Sequence, residues 1–407
     1  MKKKTQKKKW TSRRHLFMRN LTNPFFSFFA WLIYGAKVDR FREAKKRQFL
    51  ILFNHQTDYD QFFVGMAFPG AVYYVASEDL FSNGFVSSLL RFAVAPIPIK
   101  KSTTDLRAII NCLKVTGEGG TIAMAPEGNR TYSGKTCYIK PSVADLAKKL
   151  NLPIAIFRIE GGYGVKPRWS DVARRGRMHA YVSRVIEPEE YGTMPTEELY
   201  ETICRELYVD EAVPDGCFPH KKSAEYLERA VYVCPKCGLS EWESHGEHIH
   251  CKKCGMGARY LATKELAGNG EPFPFRFVGE WYDYQENFIR SLDLAPYREM
   301  PMYTDSVRLF EVILYHRKRT ISSDVRLSLF GDRYELAYNG ETHVLPFDKV
   351  RAASVLGRNK LNIYFEDVLY QIKGNKRFNA LKYVNIYYHA VSGKKADKSG
   401  ELQFLGL

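Results

Sequence analysis

Between residues 49 and 157, short apolar runs alternate with segments of helical period. Phe49-Leu50-Ile51-Leu52-Phe53, Ala71-Val72-Tyr73-Tyr74-Val75-Ala76, Thr121-Ile122-Ala123-Met124 and Ile154-Ala155-Ile156-Phe157 are apolar throughout, so both faces of the strands they predict must be covered. Val94-Ala95-Pro96-Ile97-Pro98-Ile99 is a further extended run. Helical patterns fall between them, at 85–92 and 143–150 and through Leu106, Ile109, Ile110 and Leu113. Thr103 or Thr104 offers the last of these a cap, and Gly117 a stop. Covered strands separated by helices predict an α/β domain, a mostly parallel sheet flanked by helices. Ligands of such sheets sit beyond the carboxyl ends of the strands, where His55 and Glu127 fall.

Pro214, Asp215, Gly216 and Pro219 mark a break near 211–222, and the period then changes. Val325/Leu327/Leu329 and Tyr334/Leu336/Tyr338 alternate, Asn339-Gly340 makes a turn, and strands follow through Ile363/Phe365 and Val368/Tyr370/Ile372. A last helix aligns Leu381, Val384, Tyr388 and Val391. The predicted organisation is an arm over 1–48, an α/β domain over 49–215, a cysteine module over 225–265 and a C-terminal α+β domain over 270–407.

Charge changes the picture of the arm. The 407 residues carry a formal net charge of +16, and 45% are hydrophobic, which excludes wholesale disorder. Residues 1–48 hold 15 Lys/Arg with only Asp39 and Glu43, a net of +13, so the other 359 residues stand at +3. Lys2, Lys3, Lys4, Lys7, Lys8, Lys9, Arg13 and Arg14 open the arm, and residues 20–36 are uncharged and rich in aromatics. Asn20, Thr22, Asn23 and Pro24 interrupt that run, leaving fewer than the ~20 apolar residues a spanning helix needs. No small-residue cleavage site follows, so a secretory signal is not expected. Lysines beside a short aromatic helix suit a segment lying in an anionic membrane interface. The plain alternative is a core helix behind a solvated tail.

Candidate chemistry starts at Asn54-His55-Gln56-Thr57-Asp58-Tyr59-Asp60. A His with a nearby carboxylate is the minimum for general-base work. On one helix, residues five apart diverge by about 140°, so His55 and Asp60 meet only where the chain turns. Asp58 competes on spacing alone, and Thr57 with the two aspartates also reads as a helix cap. The second segment is Pro126-Glu127-Gly128-Asn129-Arg130, where Pro and Gly impose a tight loop and Arg130 offers a fork for phosphate. Alone, it reads equally as a surface turn.

Taken together, Asn54, His55 and Asp60, then Pro126, Glu127, Gly128 and Arg130, resemble the signature blocks of the glycerolipid acyltransferases, such as 1-acylglycerol-3-phosphate acyltransferases. Asn129 stands where that family usually has Thr, and Lys100-Lys101 where it usually has Arg. Leu152-Pro153-Ile154 matches a weaker block, and the resemblance covers about residues 20 to 190. It implies that His55 acts as base and Asp60 orients it. Lys100, Lys101 and Arg130 would neutralise substrate phosphate, and Glu127 and Gly128 would shape the acceptor pocket. The donor would be acyl-coenzyme A or acyl carrier protein, and no Ser or Cys nucleophile is needed. Cys112 and Cys137 read as ordinary thiols.

Cys234-Pro235-Lys236-Cys237-Gly238 and Cys251-Lys252-Lys253-Cys254-Gly255 pair two Cys-x-x-Cys motifs 13 residues apart, the spacing of a closed structural zinc site. The module resembles a zinc ribbon. His245, His248 and His250 lie between the pairs and read as solvated loop residues. The last domain resembles a pleckstrin-homology-like fold, a headgroup binder or regulator, with a packing module as the equal alternative. The combined expectation is a peripheral or monotopic lysophospholipid O-acyltransferase on the cytoplasmic face of a membrane, with lysophosphatidic acid as first acceptor. A lipid-binding scaffold without turnover and a zinc-ribbon nucleic-acid binder are the alternatives. The location of the charge, beside an aromatic run and far from the ribbon, argues against nucleic acid.

Overall fold

The computed structural model describes residues 9–45, 47–77, 80, 81, 85–99, 106–313 and 318–392, the side chain of Val86 excepted. Among these residues the first sheet has seven strands: β1 (Ala36–Val38), β2 (Leu50–Phe53), β3 (Val72–Ser77), β4 (Ile97–Ile99), β5 (Thr121–Met124), β6 (Ile154–Glu160) and β7 (Met178–Ile186). Their order is β1-β7-β6-β2-β5-β3-β4, parallel except where β6 meets β7. Because β2 is apolar at every position, its alternate residues enter two cores. Ile51 and Phe53 pack on one face of the sheet and Leu50 and Leu52 on the other.

Four helices contribute side chains to one cavity beside the first sheet: α1 (Arg13–Phe29), α2 (Asp60–Ala67), α3 (Phe85–Ala93) and α4 (Leu106–Gly117). The arm differs from the sequence reading. Its helix begins at Arg13, where Ser12 accepts the Arg14 amide, and continues through Pro24 into a π-helical turn, Ala30–Tyr34. Gly35 ends it at φ +68, where a Cβ would lie 2.5 Å from the Gly176 carbonyl oxygen. Three residues inside that helix fasten it to the sheet domain. The Arg19 guanidinium donates to the carbonyls of Gly65 and Phe68, Arg14 donates to Phe92, and buried His15 sits 3.1 Å from the Tyr73 hydroxyl. Among the described residues no helix is long and apolar enough to cross a membrane.

The cysteine module is built from β8 (Val233–Cys234), β9 (Gly238–Leu239), β10 (Trp242–His245), β11 (His248–Cys251), β12 (Gly257–Tyr260) and β13 (Leu266–Gly268). The C-terminal sheet is antiparallel throughout: β14 (Tyr303–Glu311), β15 (Arg319–Leu329), β16 (Arg333–Tyr338), β17 (Glu341–Pro346), β18 (Val350–Leu356), β19 (Lys360–Phe365) and β20 (Val368–Lys373). Its order is β17-β16-β15-β14-β20-β19-β18, a four-stranded and a three-stranded meander joined through β14 and β20. The helix Leu381–Ser392 packs over it through Tyr383, Ile386 and Tyr387. One apolar cluster runs through the cysteine module, the helix Val278–Arg290 and this sheet, and also takes in Tyr132 and Trp169 of the first domain.

Candidate active site

Strand β2 ends at Phe53, and the next residue is a staple: the Asn54 amide donates to the Ile159 carbonyl at 2.8 Å and accepts the Ile159 N–H at 2.7 Å. The chain is thereby held against β6 just before it turns into α2. In that turn the His55 Nδ1 lies 2.7 Å from the Asp60 carboxylate. Asp60, the first residue of α2, is fully buried and accepts further bonds from the amides of Gln56 and Thr57 and from the Thr57 hydroxyl. The cap reading of Thr57 fails, because Tyr59 holds the N-cap position with no side-chain bond and the Thr57 hydroxyl donates to Asp60 instead. The amides of the turn are what fix the carboxylate that holds His55. Asp58 points elsewhere.

Glu127 ties the second segment to the first. Its Oε1 accepts the His55 N–H and its Oε2 the Cys137 N–H, both at 2.6 Å, while the Thr131 N–H reaches the His55 carbonyl at 3.1 Å. Burial pushes the Glu127 carboxyl up to about 8 against the pull of those two amides. Gly128 sits at φ +71, in the left-handed region that favours glycine, and so permits the loop. Arg130 is nine-tenths buried, and burial lowers its pKa to about 10. Among the described residues its Nη1 has no hydrogen-bond partner, and it stands 3.9 Å from Asp58. Lys100 and Lys101 lie outside the described residues.

His55, Glu127, Gly128 and Arg130 line one cavity of about 1150 Å³ that extends between α1, α3 and α4. Its far part is apolar, with Phe26, Leu89, Leu90, Ala108 and Val143 in the wall. A His–carboxylate pair at the polar end of an apolar cavity suits a substrate with one charged end and one hydrocarbon end.

Residues 16–159 match the acyltransferase family. No curated protein matches the chain. Among solved structures, the crystal structure of the 1-acyl-sn-glycerophosphate (LPA) acyltransferase PlsC from Thermotoga maritima is similar, at 20% identity and a TM-score of 0.40, covering 47% of this chain and 78% of that one. The family match takes in His55, Asp60, Glu127, Gly128 and Arg130, and it ends before the cysteine module and the C-terminal sheet begin.

Several charged residues at the polar end were not singled out in the sequence. Asp58 lies within ion-pair distance of Lys166 at 3.3 Å and Arg358 at 3.0 Å. Burial alone would raise its pKa, but Arg130, Lys166 and Arg358 hold it below the usual carboxylate range. Arg168 donates to the carbonyls of Arg130, Val355 and Gly357. Lys166 and Arg168 follow strand β6 closely, a signal available in principle. Arg358 has none, being 300 residues from Asp58 along the chain.

The cysteine module brings Cys234, Cys237, Cys251 and Cys254 together, their sulfurs all within 4.8 Å of one another. The pairs Cys234–Cys254 and Cys237–Cys251 are 3.6 Å apart, too far for disulfides and near the ~3.8 Å edge of a tetrahedron with metal–sulfur bonds of about 2.3 Å. These four residues can hold a metal ion. His245, His248 and His250 are exposed on β10 and β11, away from the sulfurs.

Proposed function

We propose that the protein is a lysophospholipid O-acyltransferase working at a membrane surface, with a 1-acylglycerol-3-phosphate as acceptor and an acyl thioester, of coenzyme A or acyl carrier protein, as donor. The observation that carries this reading is the 2.7 Å His55–Asp60 pair at the polar end of the cavity, inside the acyltransferase match. With Nδ1 directed to Asp60, His55 Nε2 takes the proton of the acceptor hydroxyl as that oxygen forms its bond to the thioester carbonyl carbon. The carbon–sulfur bond breaks, and the leaving thiolate takes the proton back, so the products are the ester and a free thiol. Asp60 stabilises the imidazolium formed in between. Glu127 holds the backbone of both loops, a positioning role, and Arg130 offers its unpartnered nitrogen to phosphate.

Membrane association is supported by exposed Phe17, Leu21, Phe25, Phe28 and Trp31 on the arm, with Phe85, Leu89 and Phe92 on α3. The cytoplasmic face is inferred from the basic arm, because that leaflet is anionic. The four cysteines suit one structural zinc ion, with every ligand position filled by protein. The four-plus-three strand order under one helix supports a pleckstrin-homology-like reading of the C-terminal domain. The test is a panel of lysolipids presented with acyl-coenzyme A and with acyl carrier protein, following thiol release and new ester. Ester formation on a lysolipid is the expected result; none on any acceptor with either donor rejects the reading in favour of a scaffold.

A further inference from the structure

We propose that the C-terminal sheet completes the acceptor site: Lys318 and Lys360 form, with Arg130 and Arg168, a cationic wall that receives the phosphate monoester of the lysolipid headgroup. This deepens the acyl-transfer reading and rests on it. The cavity that holds His55 is closed on one side by Lys318, Leu356, Gly357 and Lys360, all beyond the family match at residues 16–159. Among the described residues its lining includes six Lys or Arg side chains against Asp58 and Glu127. An enclosed site lined with one sign of charge concentrates the opposite charge.

The wall is fixed in place by specific bonds. Arg168 donates to the Arg130 carbonyl with one nitrogen and to Gly357 and Val355 of the β18–β19 hairpin with the others. The Tyr132 hydroxyl donates to the Arg358 carbonyl at 3.0 Å. Arg358 then spans two carboxylates, Asp58 at 3.0 Å and Asp171 at 3.1 Å, so the hairpin tip is tied to the same loop that carries His55 and Asp60. By neutralising Asp58, Arg358 also removes the negative charge that would repel a phosphate there. Lys318 is aimed by a buried polar chain: its Nζ donates to Gln371 Oε1 at 2.6 Å, and Gln371 donates to its cross-strand neighbour Asn362 at 2.9 Å. Gln371 and Asn362 are buried and bonded to each other, so the acceptor that holds the Lys318 Nζ is fixed within the sheet. Arg130 is nine-tenths buried and, among the described residues, its Nη1 has no hydrogen-bond partner on the same cavity, so it can serve a phosphate there.

The decisive protein is the full chain carrying Lys318→Ala and Lys360→Ala, compared with Lys318→Arg and Lys360→Arg. With lysophosphatidic acid as acceptor, the alanine pair is expected to raise the acceptor KM at least tenfold. The donor KM should hold within twofold, and the preference over lysophosphatidylcholine should fall tenfold, with the arginine pair restoring most of both. An unchanged preference overturns the proposal, and so does a rise in the donor KM alone, which would assign the wall to the phosphates of coenzyme A. Calorimetric titration with glycerol 3-phosphate separates this from the acyl-transfer reading. Binding that the alanine pair weakens tenfold supports the wall even if no turnover is found, and no binding by the wild type rejects it.

Discussion

His55 and Asp60 are close because a strand end stapled by Asn54 turns at once into a helix whose first residue is the carboxylate. That a carboxylate could meet His55 at a turn was legible, but spacing alone left Asp58 as a rival, and only the resemblance to the acyltransferase blocks pointed to Asp60. The role of Glu127 was not legible. Sequence offers a carboxylate in a tight loop, and only the fold shows both its oxygens occupied by backbone amides from two other segments. Asp60→Asn should leave helix α2 in place but lose the charge that holds the imidazolium, lowering kcat by roughly 10²-fold or more with an unchanged circular dichroism spectrum. Activity within twofold of wild type would remove Asp60 from the mechanism. Glu127 titrates at about 8 in the fold against 4.5 ordinarily. Its contribution to stability is full below 4.5 and is lost as pH rises through 8. Wild-type stability relative to Glu127→Gln, read from urea unfolding, should therefore decline between those pH values; a flat difference would contradict the burial argument.

At the scale of elements, the strands legible in sequence are those buried on both faces or strictly alternating, and those that escaped are short, mixed or bulged. β1 is three residues long, β7 shifts register against β6 between Ile156 and Phe157, and β18 is bulged near Val350. Alternation fails at such places because a bulge exchanges the faces. Helix α1 was located by its aromatic run, but its start was missed. Arg13 and Arg14 read as part of a basic arm beside a membrane-interface helix, with nothing in the pattern to tie them to the sheet domain, yet Arg14, His15 and Arg19 are bound to carbonyls or to Tyr73 across the domain. The cysteine module was legible from spacing alone, because metal–thiolate geometry demands that spacing. Elemental analysis is expected to give one zinc per chain, with loss of zinc and a lower Tm in Cys251→Ser. Full zinc content in that variant would show the ion to be elsewhere.

At the scale of the whole molecule, the apolar cluster that joins the cysteine module to the C-terminal sheet also reaches Trp169 and Tyr132 beside the site. Trp281, fully buried there, donates its indole N–H to the Val233 carbonyl at 2.9 Å. Trp281→Ala should cost about 3–5 kcal/mol in denaturant unfolding, lowering the stability of module and sheet together. A cost below 1 kcal/mol would mean the two are not coupled. Contacts of this range, such as Arg358 with Asp58, leave no local trace in sequence. The exposed aromatics of the arm make a prediction of their own. Phe25→Ser with Trp31→Ser should weaken binding to anionic vesicles at least tenfold in a sedimentation assay, since each buried ring contributes about 1.5–3 kcal/mol. Equal sedimentation would place the membrane contact on other residues. In the proposed reaction His55 is the base of an acyl transfer. The most direct test is the initial rate of thiol release from an acyl thioester, dependent on lysophosphatidic acid, in wild type and His55→Ala. Turnover in the wild type and a fall of roughly 10²–10⁴-fold in a folded variant are expected; undiminished turnover in His55→Ala would exclude His55 as the base.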